Sequence, residues 1–484
     1  MNMKKILPLA VVSLSSLLFA CQTNEMDSIV ASDKKVQLSS QELLCIKCEN
    51  FPELSQNELY ALIETFQPGK LAEKSNTKSV SQITSFEIKN KYYLNENENF
   101  EDSPKTRSTE DVQEQIPIYE IGFISNEKTG MALVSGDRRA PQILAYIDQI
   151  NENDTCLSAG PNALVQWAEM CVQNAVDAFE ITKDSIYASA ISKISQELNI
   201  SPEDVTYENI KDKIVVANQQ TRSTAIDEIP SNLTSLVSVY PMCPSTWGQW
   251  EPYNCQLLKG DCEKFFPGWV EFSNHPTGIG AVSLAHLMAC LEPNITAYGT
   301  KINWASLTEK KEIKAPDYFT AGDPIEKRNM VGFLFKLIYT QTNSNPVKNS
   351  KGVVTGTSCT VPDMENYLRS VFNCGNTSSW SKATILSSLK NRRPVYVYGK
   401  PDNKESAGVY PFILDGYEEC YGRIDNVPQD INIKYIHANF GFGGGSQDGY
   451  YLMDTKTESI SFDTKIPLIF KDKALTMIPN IKKK

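Results

Sequence analysis

Imidazole is scarce in this chain: among 484 residues the only histidines are His275, His286 and His437. Only one Cys-x-x-Cys pair occurs, Cys45 and Cys48, so a zinc site of ordinary spacing lacks its second half, and no metal is expected. The pair reads instead as a local disulfide or as free thiols. Basic charge is also short, with 47 Lys plus Arg against 58 Asp plus Glu and a net charge of −11. Without a basic run to track phosphates, nucleic acid is excluded as a partner class. Beyond residue 20 no segment approaches the ~20 uninterrupted apolar residues of a membrane span. The stretch Gly441-Phe442-Gly443-Gly444-Gly445 is not a dinucleotide fingerprint, because its third glycine position fails and a strand pattern follows; no cofactor is expected. What is present is an ordinary globular balance, 41% hydrophobic and 22% charged, which excludes wholesale disorder. At roughly 100–200 residues per domain, the length suggests two or three domains.

The first twenty residues read as an address. Lys4 and Lys5 precede a short apolar stretch, residues 6–20, which ends in Leu18-Phe19-Ala20-Cys21. A basic start, an apolar run of this length and a small residue before the break describe a secretory signal peptide over 1–20. The ending resembles the lipobox of bacterial lipoproteins, which implies lipidation at Cys21, a tether over 21–45 and a place on the cell envelope. Twelve cysteines would then meet an oxidising compartment, and setting Cys21 aside (12 − 1) leaves eleven, an odd number.

Residues 46–225 read as an α+β region. Strand patterns occupy 116–124 and 130–136, and helical spacing of apolar residues occupies 162–179 and 185–198. Stretches 68–82 and 99–114 are poor in apolar residues. A linker at 218–231 carries Thr221-Arg222-Ser223-Thr224, repeating the Thr-Arg-Ser-Thr of 106–109, and exposed Arg-Ser bonds in polar linkers invite proteases. From 236 onward aromatic residues and glycine become frequent. An apolar helix over 279–291, stopped by Pro293, and strands over 393–398, 411–417 and 450–453 follow.

This half contains Trp247-Gly248-Gln249, Pro252-Tyr253-Asn254, Thr277-Gly278, Arg393-Pro394-Val395, Asp415-Gly416-Tyr417, Asn439-Phe440-Gly441 and Gly449-Tyr450-Tyr451, in that order. Over 247–451 it resembles the streptopain family of papain-like cysteine peptidases. Upstream, Pro117-Ile118-Tyr119 and residues 134–146 resemble that family's propeptide or the related inhibitor domain. The resemblance implies an α+β fold: a papain-like domain over 236–484, with a central helix packed on an antiparallel sheet, preceded by a propeptide-like α+β domain over 46–225.

Such peptidases need a thiolate at a helix N-terminus, a histidine to move protons, an asparagine to orient it and a glutamine to stabilise the oxyanion. The resemblance puts Gln249 at the oxyanion position and Asn439 at the orienting position. The nucleophile position is Ile279 and the base position is Tyr410. Isoleucine has no lone pair, and a phenol with a reference pKa near 10 is a poor base at neutral pH. Shifting the alignment by one residue offers only Gly278 or Gly280 at the first position and Val409 or Pro411 at the second. Ser283, on the same helix face, would sit ~6 Å deeper, and Cys290 ~16 Å deeper. A Ser283–His286 pair, His275 beside the helix, and Cys255 with Cys262 are the remaining substitutes; the two cysteines could equally form a disulfide. His437 matches a non-catalytic histidine position of the family.

Three functions are compatible with these residues. The first is a lipid-anchored pseudopeptidase that holds peptides or proteins without cleaving them, with Tyr410, Phe412, Phe440 and Phe442 as candidate contact residues or, for the phenylalanines, core packing. The second is inhibition of an active related protease through the upstream half. The third is a working cysteine-type peptidase with a rearranged site.

Overall fold

The computed structural model describes residues 35–66, 83–94, 115–150, 159–216, 232–263, 269–399, 409–423, 431–441, 443, 447–453 and 475–484. The signal peptide, Cys21, the polar stretches at 68–82 and 99–114, the 218–231 linker and Phe442 lie outside the described residues.

The upstream half runs β1 (Val36–Leu38), α1 (Ser40–Asn50), α2 (Gln56–Thr65), β2 (Ile83–Leu94), β3 (Ile116–Ser125), β4 (Lys128–Ser135), β5 (Ile143–Ile147), α3 (Ala159–Leu198) and β6 (Ile214–Val216). Both α1 and α2 start on capping boxes, Ser39 with Glu42 and Ser55 with Glu58, which satisfy N–H groups left over in the first turn. Residues 36–45 of the span expected as a tether are folded: β1 is buried and paired in parallel with β6, and α1 begins at Ser40. The two helices expected over 162–179 and 185–198 are one 40-residue helix, α3. Nothing between them breaks a helix: Glu180 to Asp184 contains no glycine or proline, and Arg139–Glu180 and Lys183–Glu49 ion pairs hold that stretch in place.

The downstream half runs β7 (Asn232–Val239), β8 (Lys259–Glu263), β9 (Val270–Asn274), α4 (Ile279–Leu291), α5 (Ile325–Gln341), β10 (Asn345–Lys348), β11 (Val354–Ser358), α6 (Val361–Val371), β12 (Ser378–Ser379), α7 (Lys382–Lys390), β13 (Val395–Gly399), β14 (Tyr410–Arg423), β15 (Ile431–Asn439), β16 (Gly449–Met453) and β17 (Leu475–Ile478). Its first strand therefore begins at Asn232, slightly before position 236.

One antiparallel sheet joins the halves, in the order β12-β17-β13-β14-β15-β16-β5-β4-β3-β2, with β7 on the free half of β14's edge. The seam is the β16–β5 pair, where Tyr450 faces Tyr146 and Tyr451 faces Ala145. Gly449 is required there: a β-carbon would lie 2.5 Å from the Tyr146 carbonyl. A separate four-stranded sheet has the order β10-β11-β8-β9.

Strand β13 and the start of β14 are buried on both faces, which explains their nearly continuous apolar sequences. Val395, Val397, Phe412 and Leu414 face one core, while Tyr396, Tyr398 and Ile413 face another. The first core is shared with the upstream half, through Phe66, Phe123, Leu133, Val165 and Val172. The second packs α4 and α5 against the sheet around Trp247, Tyr253 and Phe335. The expected α+β fold, with a central helix on an antiparallel sheet, is the fold observed. No helix among the described residues is long and apolar enough to cross a membrane.

Candidate functional site

Helix α4 is buried from Gly280 through Ala289, and Gly278 precedes it with φ of 85°. An L-residue is strained there, and a β-carbon would also meet Thr357 at 3.1 Å. Ile279 is thus the first helical residue, half-buried, on a turn whose leading N–H groups have no side-chain cap.

Of the other sequence-selected positions, Gln249 reaches the start of this helix directly. The Gln249 carbonyl accepts the Thr277 N–H at 3.1 Å, tying the Trp247–Gln249 segment to the start of α4. The glycine segment closes over it: β-carbons at Gly441 and Gly443 would lie 2.6 Å from Val282 and 3.4 Å from Gly248. The Ser283 hydroxyl lies 2.9 Å from the Ile279 carbonyl and 3.0 Å from the Pro411 carbonyl, so it ties α4 to β14 one residue from Tyr410. Tyr410 is half-buried at the start of β14, opposite Gly399. Asn439, at the end of β15, is buried and donates its side-chain N–H to the Ser245 carbonyl at 3.2 Å. Its Oδ1 has no hydrogen-bond partner among the described residues.

None of the three histidines is brought to Ile279 as a proton carrier. The His286 Nε2 bonds the Trp247 carbonyl at 2.9 Å, and its Nδ1 lies 3.3 Å from the Cys243 sulfur. This thiol–imidazole pair was not selected from the sequence, since its members are 43 residues apart. It is not an activated dyad: burial pulls His286 down to about 4, and burial and the Asp415 carboxylate push the Cys243 thiol well up. The Ser283–His286 pairing does not form. His437 donates its Nδ1–H to the Asp415 carboxylate at 2.6 Å; burial lowers its pKa, but Asp415 more than offsets this and holds it above the ordinary value. His275 is buried beside Gly260 of β8, where burial and Lys348 lower its pKa.

Among thiols, Cys255 and Cys262 are free and unbridged, as are Cys45 and Cys48, which burial pushes up to about 11 and about 12. No group of three or more metal-ligating side chains occurs among the described residues. Cys290 is likewise pushed up by burial. A thiol the sequence reading missed, Cys359, lies against α4, 2.9 Å from where a Gly280 β-carbon would be. Burial raises its pKa as well, and its hydrogen bond with Ser344 only partly offsets this. A cysteine between a strand and an N-capping Thr360 carries no sequence signal of such proximity. Phe412 and Phe440 are wholly buried with ring centroids 5.2 Å apart, so both are core residues and not contact residues.

Residues 247–451 match the model of the Peptidase C10 family, the streptopain family. Among solved structures, 76% of this chain aligns with 96% of a prointerpain A fragment from Prevotella intermedia, at 15% identity and a TM-score of 0.40. Active interpain A of the same organism aligns over 51% of this chain and 96% of its own, at 18% identity and a TM-score of 0.33. No curated protein matches the chain.

Proposed function

From a downstream half that matches the Peptidase C10 model over 247–451, we propose an exported, lipid-anchored protein of the cell envelope that does not cleave peptides and instead binds peptide or protein segments. The observation that carries this reading is Ile279 on the first turn of α4, with Tyr410 at the start of the strand that Ser283 ties to it. A side chain without a lone pair cannot attack a carbonyl, and no thiolate–imidazolium pair stands elsewhere among the described residues. The unpartnered Oδ1 of Asn439 fits a site that once oriented an imidazole.

A rearranged active site is disfavoured because His286 and His437 are hydrogen-bonded away from Ile279 and the His275 ring lies beside Gly260. An upstream half acting alone as an inhibitor would have to leave a core it shares with the sheet. The joined, non-cleaving reading is therefore preferred.

The test is casein hydrolysis by the mature protein under reducing conditions, beside the double variant Ile279→Cys/Tyr410→His. A silent wild type with an active double variant supports the reading. Hydrolysis by the wild type overturns it. If both are silent, the alkylation rate of the introduced thiol against pH reports whether the introduced imidazole lowers its pKa. For the anchor, loss of detergent-phase partitioning on Cys21→Ser is expected.

A further inference from the structure

The fold brings two thiols, Cys243 and Cys290, to one turn of helix α4. Cys243 lies on the segment between β7 and Trp247. Its N–H donates to the Asp415 Oδ2 at 2.8 Å, and the Met242 N–H donates to the Asp415 carbonyl at 2.9 Å, so the backbone there is fixed. The Cys243 sulfur lies 3.5 Å from the His286 carbonyl oxygen on α4. In an α-helix that carbonyl accepts the N–H of the residue four further on, which here is Cys290. Helical side chains tilt toward the helix N-terminus, so Cys290 leans back along the His286 turn, toward the Cys243 sulfur. Burial raises both thiols most, Asp415 adds to this in both, and the neighbouring Cys290 sulfur adds further to Cys243. Both cysteines are free and keep partial exposure.

We propose that Cys243 and Cys290 are a disulfide-forming pair, closed by exchange with a small-molecule or protein disulfide. The Cys243 thiolate attacks one sulfur of the donor disulfide and expels the other as a thiolate. The Cys290 thiolate then attacks the Cys243 sulfur of the mixed disulfide and expels the second donor thiolate. Each protein thiol gives up one proton, and the donor takes two electrons and ends as two thiols. Because burial holds both protein thiols protonated, exchange is slow on the folded protein, and the bond closes while the chain folds. It then ties the segment carrying Trp247 and Gln249 to the C-terminal turn of α4, while the Thr277–Gln249 bond ties it to the other end. His286 gives up the thiol but keeps the Ser245 hydroxyl 3.4 Å from Nδ1 and the Trp247 carbonyl at Nε2. The pair takes from the proposed function only its oxidising compartment. Supplying the oxidant in vitro makes its test independent of the anchor and of peptide cleavage.

The experiment uses the full mature chain carrying Cys21→Ser, unfolded in urea with dithiothreitol and refolded in reduced and oxidised glutathione. Remaining thiols are blocked with N-ethylmaleimide before tryptic digestion and mass spectrometry. Trypsin places Cys243 with Cys255 in peptide 223–259, and Cys290 as the one cysteine of 265–301. The expected product is 223–259 linked to 265–301, kept in Cys255→Ala and lost in Cys243→Ala. Oxidation should also raise the urea midpoint of the parent chain more than that of Cys290→Ala, because a bond that fits the native geometry constrains chiefly the unfolded chain. Absence of the linked peptides from the refolded parent overturns the proposal. Their loss in Cys255→Ala also overturns it, because the bond would then belong to Cys255. An equal midpoint gain in the parent and in Cys290→Ala does the same, since the bond would not be part of the native structure.

Discussion

Glu169→Gln should flatten the pH dependence of stability. Glu169 projects from α3 into the shared core, is 6% exposed, and accepts one hydrogen bond, from the Tyr92 hydroxyl at 3.2 Å. Burial pushes its carboxyl up to about 8, and the Tyr92 bond only partly opposes this. In the unfolded chain the same group titrates near 4.3. Between those values the folded state holds the extra proton, so stability falls as pH rises from about 4.3 to about 8 and is fully present only below that window. At about 1.4 kcal/mol per pKa unit, the loss at pH 9 is on the order of 3–5 kcal/mol. Glutamine keeps the shape and the acceptor but cannot ionise. Urea unfolding followed by tryptophan fluorescence at pH 5, 6.5, 8 and 9 should show similar midpoints for the two proteins at pH 5 and a growing advantage for Glu169→Gln above pH 6.5. Asp448, which burial pushes up to about 7, and His437, held above its ordinary value, lose stability in the same direction in both proteins, so the difference isolates Glu169. A midpoint difference that does not change with pH would refute the reasoning.

Arg138→Met should cost about 3–5 kcal/mol, read as a fall in the urea midpoint. It strands Glu58, now paired at 2.7 and 2.8 Å, and releases the Phe51 and Glu53 carbonyls that the guanidinium also holds. Gly449→Ala should open the β5–β16 seam, costing about 1–3 kcal/mol; hydrogen exchange at 145–147 and 449–453 should accelerate, and unchanged protection there would contradict the seam. Cys45, Cys48 and Cys243 should react slowly with a disulfide reagent at pH 7.5 in the reduced native protein and rapidly in denaturant, because burial raises all three thiols. Fast native labelling of Cys243 would contradict its neutral pairing with His286. Cleavage after Arg222 should leave two fragments that co-elute in gel filtration, because one core spans both halves; separation without denaturant would show that the shared core is too weak to hold them.

Much of the downstream fold was legible in residue order. The strands at 393–398 and 411–417 stand out because they are buried on both faces, and a doubly buried strand has no polar alternation. The helix at 279–291 stands out because every residue from Gly280 to Ala289 is buried, and its boundaries are marked by Gly278 and Pro293. The candidate site positions were legible for a different reason: Gln249, Ile279, Tyr410 and Asn439 sit in or beside short ordered motifs within the span that matches the family model. Continuity of α3 was harder to read, because the polar residues from Glu180 to Asp184 interrupt the apolar pattern without breaking the helix. Their ion pairs come from Arg139 and Glu49, distant in the chain.

The sequence alone therefore determined which side chains stand at 279 and 410, an isoleucine and a tyrosine, since no folding can give Ile279 a lone pair. It also determined the α+β character, through periodicity and punctuation that are local properties. Only the tertiary structure decided which groups meet. The pairing of His286 with Cys243 and of His437 with Asp415 closes chain separations of 43 and 22 residues. The β16–β5 seam joins strands about 300 residues apart, Tyr450 to Tyr146, and puts the two halves on one core. Such contacts depend on long-range loop closure and on competition among strand edges, and no window of neighbouring residues encodes either.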